Sequence, residues 1–138
     1  MARRRQLANL QKRLDATPVA VREAVQPALR KSGDELADRM RSLAPELTGA
    51  LKQSIHVTYS GELTPAYSQP GGSKLAGPLE TLVTVGDAET RYPHLVEYGT
   101  ADATAQPFFW PSVRLLRKRT TNRIKRSVRK AVREGWST

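Results

Sequence analysis

Two histidines, His56 and His94, a glutamate in Val96-Glu97-Tyr98-Gly99-Thr100 and the run Gly71-Gly72-Ser73-Lys74 are where this chain has side chains suited to chemistry. A zinc-type centre needs three or four His, Cys or carboxylate ligands converging from characteristic spacings, and neither histidine stands at such a spacing with acids. There is no cysteine, which excludes disulfides, thiolate ligands and a thiol nucleophile. Serines and threonines are plentiful, but none sits in a Gly-x-Ser-x-Gly turn. Gly71–Lys74 lacks the spaced first glycine and the buried strand of a phosphate loop, and reads as flexible loop. Glu97 suits either a general base in a small hydrolase or a structural hydrogen-bond acceptor, and the lack of a partner acid or nucleophile favours the second. No catalytic, metal or cofactor-binding residue is therefore assigned. The chain is expected not to be an enzyme.

Charge is the stronger signal. The net charge is +10 over 138 residues, and the segment Arg114–Glu134 holds ten Lys/Arg against one Glu, so +9 of it lies there. A segment of this kind faces a polyanion, an acidic partner or water. The length fits one domain with a modest core. Hydrophobic content of 38% is at the polar end of globular chains without the depletion that marks disorder. No apolar run approaches the roughly 20 residues that span a bilayer. Met1-Ala2-Arg3-Arg4-Arg5 is not followed by an apolar signal core, so synthesis in the cytoplasm is expected, with no membrane partner.

The elements that must position these residues follow from periodicity. Residues 1–16 are polar and basic, with Leu7, Leu10 and Leu14 at helical spacing, and form either a short amphipathic helix or an arm that orders on a partner. Thr17-Pro18 is a good helix start, and Val21, Ala24, Val25, Ala28, Leu29, Leu36, Met40 and Leu43 are expected on one face up to Ala44-Pro45. Pro27 predicts a kink or a later start. Thr48 can cap a single turn that leads into a strand over 54–60, where Ile55, Val57 and Tyr59 alternate with polar residues. A second strand is expected over 79–85. The intervening 61–78 loop, rich in Gly, Pro and Ser, is either a surface excursion or an arm that reaches a neighbour. Residues 91–99 read as a short helix closed by Gly99. A last helix is expected from Ser112 to about Glu134, with one seam of Val113, Leu116, Thr120, Ile124, Val128 and Ala131, and cations around the rest. This gives an α+β domain over 17–134, an arm over 1–16 and a tail over 135–138.

Between Tyr92 and Pro111 lie both phenylalanines, one of two tryptophans, two of four tyrosines and three of nine prolines. This stretch is expected to be a rigid aromatic joint between the sheet and the basic helix. The aromatic residues fill either the subunit's own core or a pocket on the next subunit; three in a row cannot all point one way, which favours the core for Phe108 and an interface for Trp110.

The order of Ala44-Pro45, Thr48-Gly49-Ala50-Leu51, Ser54-Ile55, Val83–Gly86, Tyr92, Val96–Thr100 and Ala105–Phe108 resembles the head–tail joining proteins of long-tailed double-stranded DNA bacteriophages and prophages, also called tail completion or neck proteins. The resemblance spans about residues 20–117. Phe109-Trp110-Pro111 stand where that family more often has Met-Arg-Pro, and the basic segment beyond Arg117 lies outside it. The resemblance implies a structural virion protein that forms a ring, a hexamer, between the head connector or stopper and the tail terminator or tail tube, with DNA passing through the lumen. Glu97, Tyr98, Gly99, Thr100, Gln106, Pro107, Phe109 and Trp110 are expected to meet a neighbouring subunit or partner. Lys118, Arg119, Arg123, Lys125, Arg126, Arg129, Lys130 and Arg133 are expected to meet DNA or an acidic partner. The competing reading is a free-standing basic nucleic-acid-binding protein acting through the last helix.

Overall fold

The computed structural model describes residues 2–46 and 49–137, and the expected cap Thr48 lies outside them. Four helices and two strands follow in order: α1 (Ala2–Leu43), α2 (Ala50–Gln53), β1 (Ile55–Thr58), β2 (Leu82–Val85), α3 (Pro93–Tyr98) and α4 (Phe109–Ser137). The fold is α+β: two long helices and a small antiparallel sheet.

α1 is one helix of 42 residues, about 63 Å long. The boundary expected at Thr17-Pro18 is absent, because the helix begins at Ala2 and continues through both Pro18 and Pro27. A proline forfeits one backbone bond and crowds one carbonyl. The good helix formers on either side and the packing that runs past Pro27 keep α1 continuous: Val25 is buried, and the Ala24 carbonyl accepts a bond from Ser127 Oγ on α4. Residues 3–9 are all exposed, Leu7 among them, while the side chains of Leu10 and Leu14 lie outside the described ones.

Each strand is four residues, shorter than expected, with Ile55 opposite Val85 and Thr58 opposite Leu82. Gly33 of α1 faces the sheet where a Cβ would stand 2.5 Å from Thr81 Cγ2 and 3.1 Å from Val57 Cγ1, so the absence of a side chain sets how closely the helix and sheet approach. Arg41 of α1 also donates to the Ile55 carbonyl at 2.9 Å. The long loop folds back on the sheet: Leu63 bridges Leu75, and at its tip Gln69 exchanges both backbone bonds with Val85 on the outer edge of β2. Arg91 stacks 3.8 Å over the Tyr67 ring and holds that tip from the other side.

α4 runs antiparallel to α1. Val113 packs on the cluster that contains Met40, Arg123 reaches Ser32 and Ser127 reaches Ala24. The core joins both helices to the sheet through Ala37, Met40, Ala44, Leu51, Ile55, Val85, Phe108 and Phe109, flanked by Leu36, Val57, Val83, Tyr92, Val96 and Val113. Burying Phe108, which is fully enclosed, is worth about 1.5–3 kcal/mol.

Candidate assembly site at the aromatic joint and the basic helix

The joint is built around a carboxylate. Glu97 is buried at 6% exposure, and its Oε2 accepts the backbone N–H of Phe108 at 2.7 Å and of Phe109 at 2.9 Å. Its Oε1 accepts the N–H of Trp110 at 3.1 Å. The first four N–H groups of any helix lack an intrahelical acceptor. Here three of them end on Glu97, and the fourth does not exist, because that residue is Pro111. The negative charge also sits at the positive end of the α4 dipole. This is why α4 begins at Phe109 rather than at Ser112 as expected.

α3 delivers Glu97 to that position. Pro93 opens it, and Gly99 closes it at φ +78°, its N–H bonded to the Leu95 carbonyl at 2.9 Å. A Cβ on Gly99 would stand 2.7 Å from Ala105 N and 3.0 Å from Ala103 O, so both the backbone angle and the space demand glycine. Beyond it the chain turns through Thr100–Ala103 and returns with Gln106 N–H bonded to the Val96 carbonyl at 2.8 Å. Ser112 Oγ, fully buried, donates to the Phe108 carbonyl.

The aromatic side chains divide as their order requires. Phe108 and Phe109 point into the core, while Trp110 is 40% exposed and meets Phe109 edge-on with ring centres 4.9 Å apart. Trp110 Nε1–H donates to Tyr98 Oη at 2.8 Å, and Tyr98 is itself 68% exposed. Below this pair is an apolar cavity of about 60 Å3, walled by Pro70, Val85, Pro93 and Phe108 and rimmed by Gln69 and His94. Of the residues expected at an interface, Tyr98, Thr100, Gln106, Pro107 and Trp110 are exposed and Gly99 half-buried. Glu97 and Phe109 turn inward instead, one to terminate α4 and the other to fill the core. The Gln69 and His94 rim was not read from the sequence, since only the folded loop brings position 69 to α3.

The basic helix divides as well. Arg123 is half-buried, donating to Glu35 Oε2 at 2.7 Å and to Ser32 Oγ at 3.1 Å, and Arg119 Nε lies 3.0 Å from Glu35 Oε1. Both were expected to meet DNA or an acidic partner; Arg123 instead turns inward to clamp α4 to α1, while Arg119 joins the same carboxylate with its side chain still 66% exposed. The Arg123 hydrogen bond, with the nearby Arg123, Arg119 and Lys31 charges, holds the Glu35 carboxyl below its ordinary value despite burial that acts to raise it. Lys130 lies 3.9 Å from Glu134 one turn on. Lys118, Lys125, Arg126, Arg129 and Arg133 are exposed with no ion pair among the described residues, and Arg114 shares their condition.

His56 Nε2 is 3.3 Å from Asp87 Oδ2, and His94 Nδ1 is 3.4 Å from Gln69 Nε2. No group of three potential ligands occurs among the described residues, and none of their helices is long and apolar enough to cross a membrane.

The structure is thus a small α+β module with a carboxylate-pinned aromatic joint and one helix face of cations that have no ion pair among the described residues. Residues 8–99 match the family model of the HK97-gp10-like proteins, described as a tail component of bacteriophage HK97, and the chain belongs to that family. No curated protein and no solved structure matches it. The matched region includes Glu97, Tyr98 and Gly99 but ends before α4.

Proposed function

We propose that this chain is a virion subunit of the phage neck, forming a six-membered ring between the head connector or stopper and the tail terminator or tail tube, with DNA passing through the ring. Membership in a phage tail-component family supports the structural role. The observation that carries the assembly claim is the Trp110–Tyr98 pair, two large aromatic residues left 40% and 68% exposed on a joint that is otherwise rigidly held. Exposed aromatic residues fixed in one orientation lose little entropy on docking and are the usual anchors of protein interfaces. Thr100, Gln106 and Pro107, close to them in the chain, are exposed as well. A ring closed by rotation joins two different patches, so the joint of one copy meets another surface of the next. The Glu97 oxygens are occupied by three amides, which supports a structural role for it over that of a hydrolytic base.

Trp110→Ala tests the assembly claim, read by sedimentation velocity on the purified chain and by its incorporation into particles. The variant is expected to melt within a few degrees of the parent and to lose self-association or incorporation by tenfold or more. A variant that assembles normally, or that simply unfolds, contradicts the claim. The competing reading, a free-standing nucleic-acid-binding protein, is supported by the unpaired cations of α4 and predicts tight DNA binding by a chain that never enters particles.

A further inference from the structure

We infer that the outer face of α4 is a binding site for the phosphate backbone of duplex DNA, taken without regard to sequence. At 100° per residue, Arg114, Lys118, Lys125, Arg126, Arg129 and Arg133 fall within about 120° of one another, opposite the seam that packs on α1. Along the axis they cover 19 steps, about 29 Å, most of one turn of B-DNA. All six are exposed, and none has an ion pair among the described residues.

An inventory of the acids argues against a second copy as the occupant. Glu35, Asp38, Glu46, Glu80 and Asp87 are paired with Arg123 and Arg119, Arg41, Lys52, Lys74 and His56. Asp34 accepts from the Tyr59 hydroxyl, Glu62 from the Tyr59 amide, and Glu97 is spent on the start of α4. The chain as a whole carries 23 Lys/Arg against 13 Asp/Glu, so a second copy would bring net repulsion to this face.

The apolar content of the face argues against an acidic protein. Protein interfaces are built on an apolar and aromatic core inside a polar rim. Among the described side chains of this face the exposed apolar residues, Leu115 and Val132, stand about 26 Å apart at opposite ends. Phosphate binding needs no such core, because counterion release drives it. The family match ends at residue 99, before α4 begins at Phe109. Only the origin of the duplex, DNA threading the neck, rests on the proposed function; the binding does not.

The test is fluorescence anisotropy of two unrelated labelled 30-base-pair duplexes, titrated with the full chain across a NaCl series. The two sequences should bind within about twofold, with log K falling against log [NaCl] at a slope of about −5 for five to six phosphates engaged. Lys118→Ser/Lys125→Ser/Arg129→Ser/Arg133→Ser should keep its helical circular dichroism and melting temperature, bring the slope to between about −1 and −2 and lose on the order of 100-fold in affinity at low salt. Arg119→Ser, which removes a clamp residue, should leave the slope unchanged. A flat salt dependence, undiminished binding by the quadruple variant, or stronger binding of poly-L-glutamate at equal charge would overturn the inference, the last in favour of an acidic protein. Failure to bind DNA by a chain that still enters particles would defeat this inference alone; binding by a chain that never enters particles would defeat the neck reading alone.

Discussion

Glu97 decides whether the joint exists. Three amides of a buried helix start depend on one carboxylate, and an unsatisfied buried donor costs about 1–3 kcal/mol. Glu97→Ala should therefore destabilise the chain by about 3 kcal/mol or more, and Glu97→Gln by a substantial part of that, because a neutral amide accepts weakly and turns an NH2 toward donors. Urea unfolding followed by tryptophan fluorescence measures both, and a loss below about 1 kcal/mol for the alanine variant would show that water satisfies the amides. Gly99→Ala is the companion test. Its Cβ would meet the 103–105 backbone at a residue held at φ +78°, so a loss of about 1–3 kcal/mol is expected. The sequence singles out both residues within Val96–Thr100. It does not show that the Glu97 acceptor would serve residues 108–110, since that pairing spans a loop whose return is set in space. That three consecutive aromatic residues must diverge is legible in the sequence, but which of them turns outward is not: Phe109, expected at an interface, is buried, and Trp110 is the exposed one.

Among the elements, α1 and α4 hold the molecule together, and their clamp is ionic where their seam is thin. Glu35 sits below its ordinary value of 4.5 because Arg123 bonds it. A carboxyl depressed in the folded state contributes stability that is fully present above its unfolded value and lost as pH falls through the folded one. The α1–α4 contact should thus weaken below about pH 4.5. Glu35→Gln should lower the melting temperature at pH 7 and reduce its fall between pH 5 and pH 3, and an unchanged acid profile in that variant would assign the loss to other carboxyls. The seam of α4 is legible from periodicity, and its six positions are all half-buried or buried. The start of α1 is not, because a capping threonine before proline reads as a beginning, whereas propensity on both sides and packing beyond Pro27 carry the helix through. The 61–78 loop is likewise opaque, since its fold rests on isolated bridges at Leu63–Leu75 and Gln69–Val85 that leave no periodic trace. The cations of α4 can be counted in the sequence, but which of them are spent depends on Glu35, some 88 residues from Arg123.

The whole molecule is a modest core carrying two unlike surfaces, an exposed aromatic pair on the joint and a cationic face along α4. A subunit with this division is suited to holding a neighbour with one surface while turning the other to a different partner. The family supplies the phage tail setting, and α4 lies beyond the matched residues 8–99. The neck-ring proposal is tested most directly by electron cryo-microscopy of purified virions assembled with this chain. The predicted result is six copies in a closed ring at the head–tail junction, Trp110 and Tyr98 buried between neighbours and α4 turned toward the DNA. Virions without the chain, or with it only along the tail away from the junction, would contradict the account.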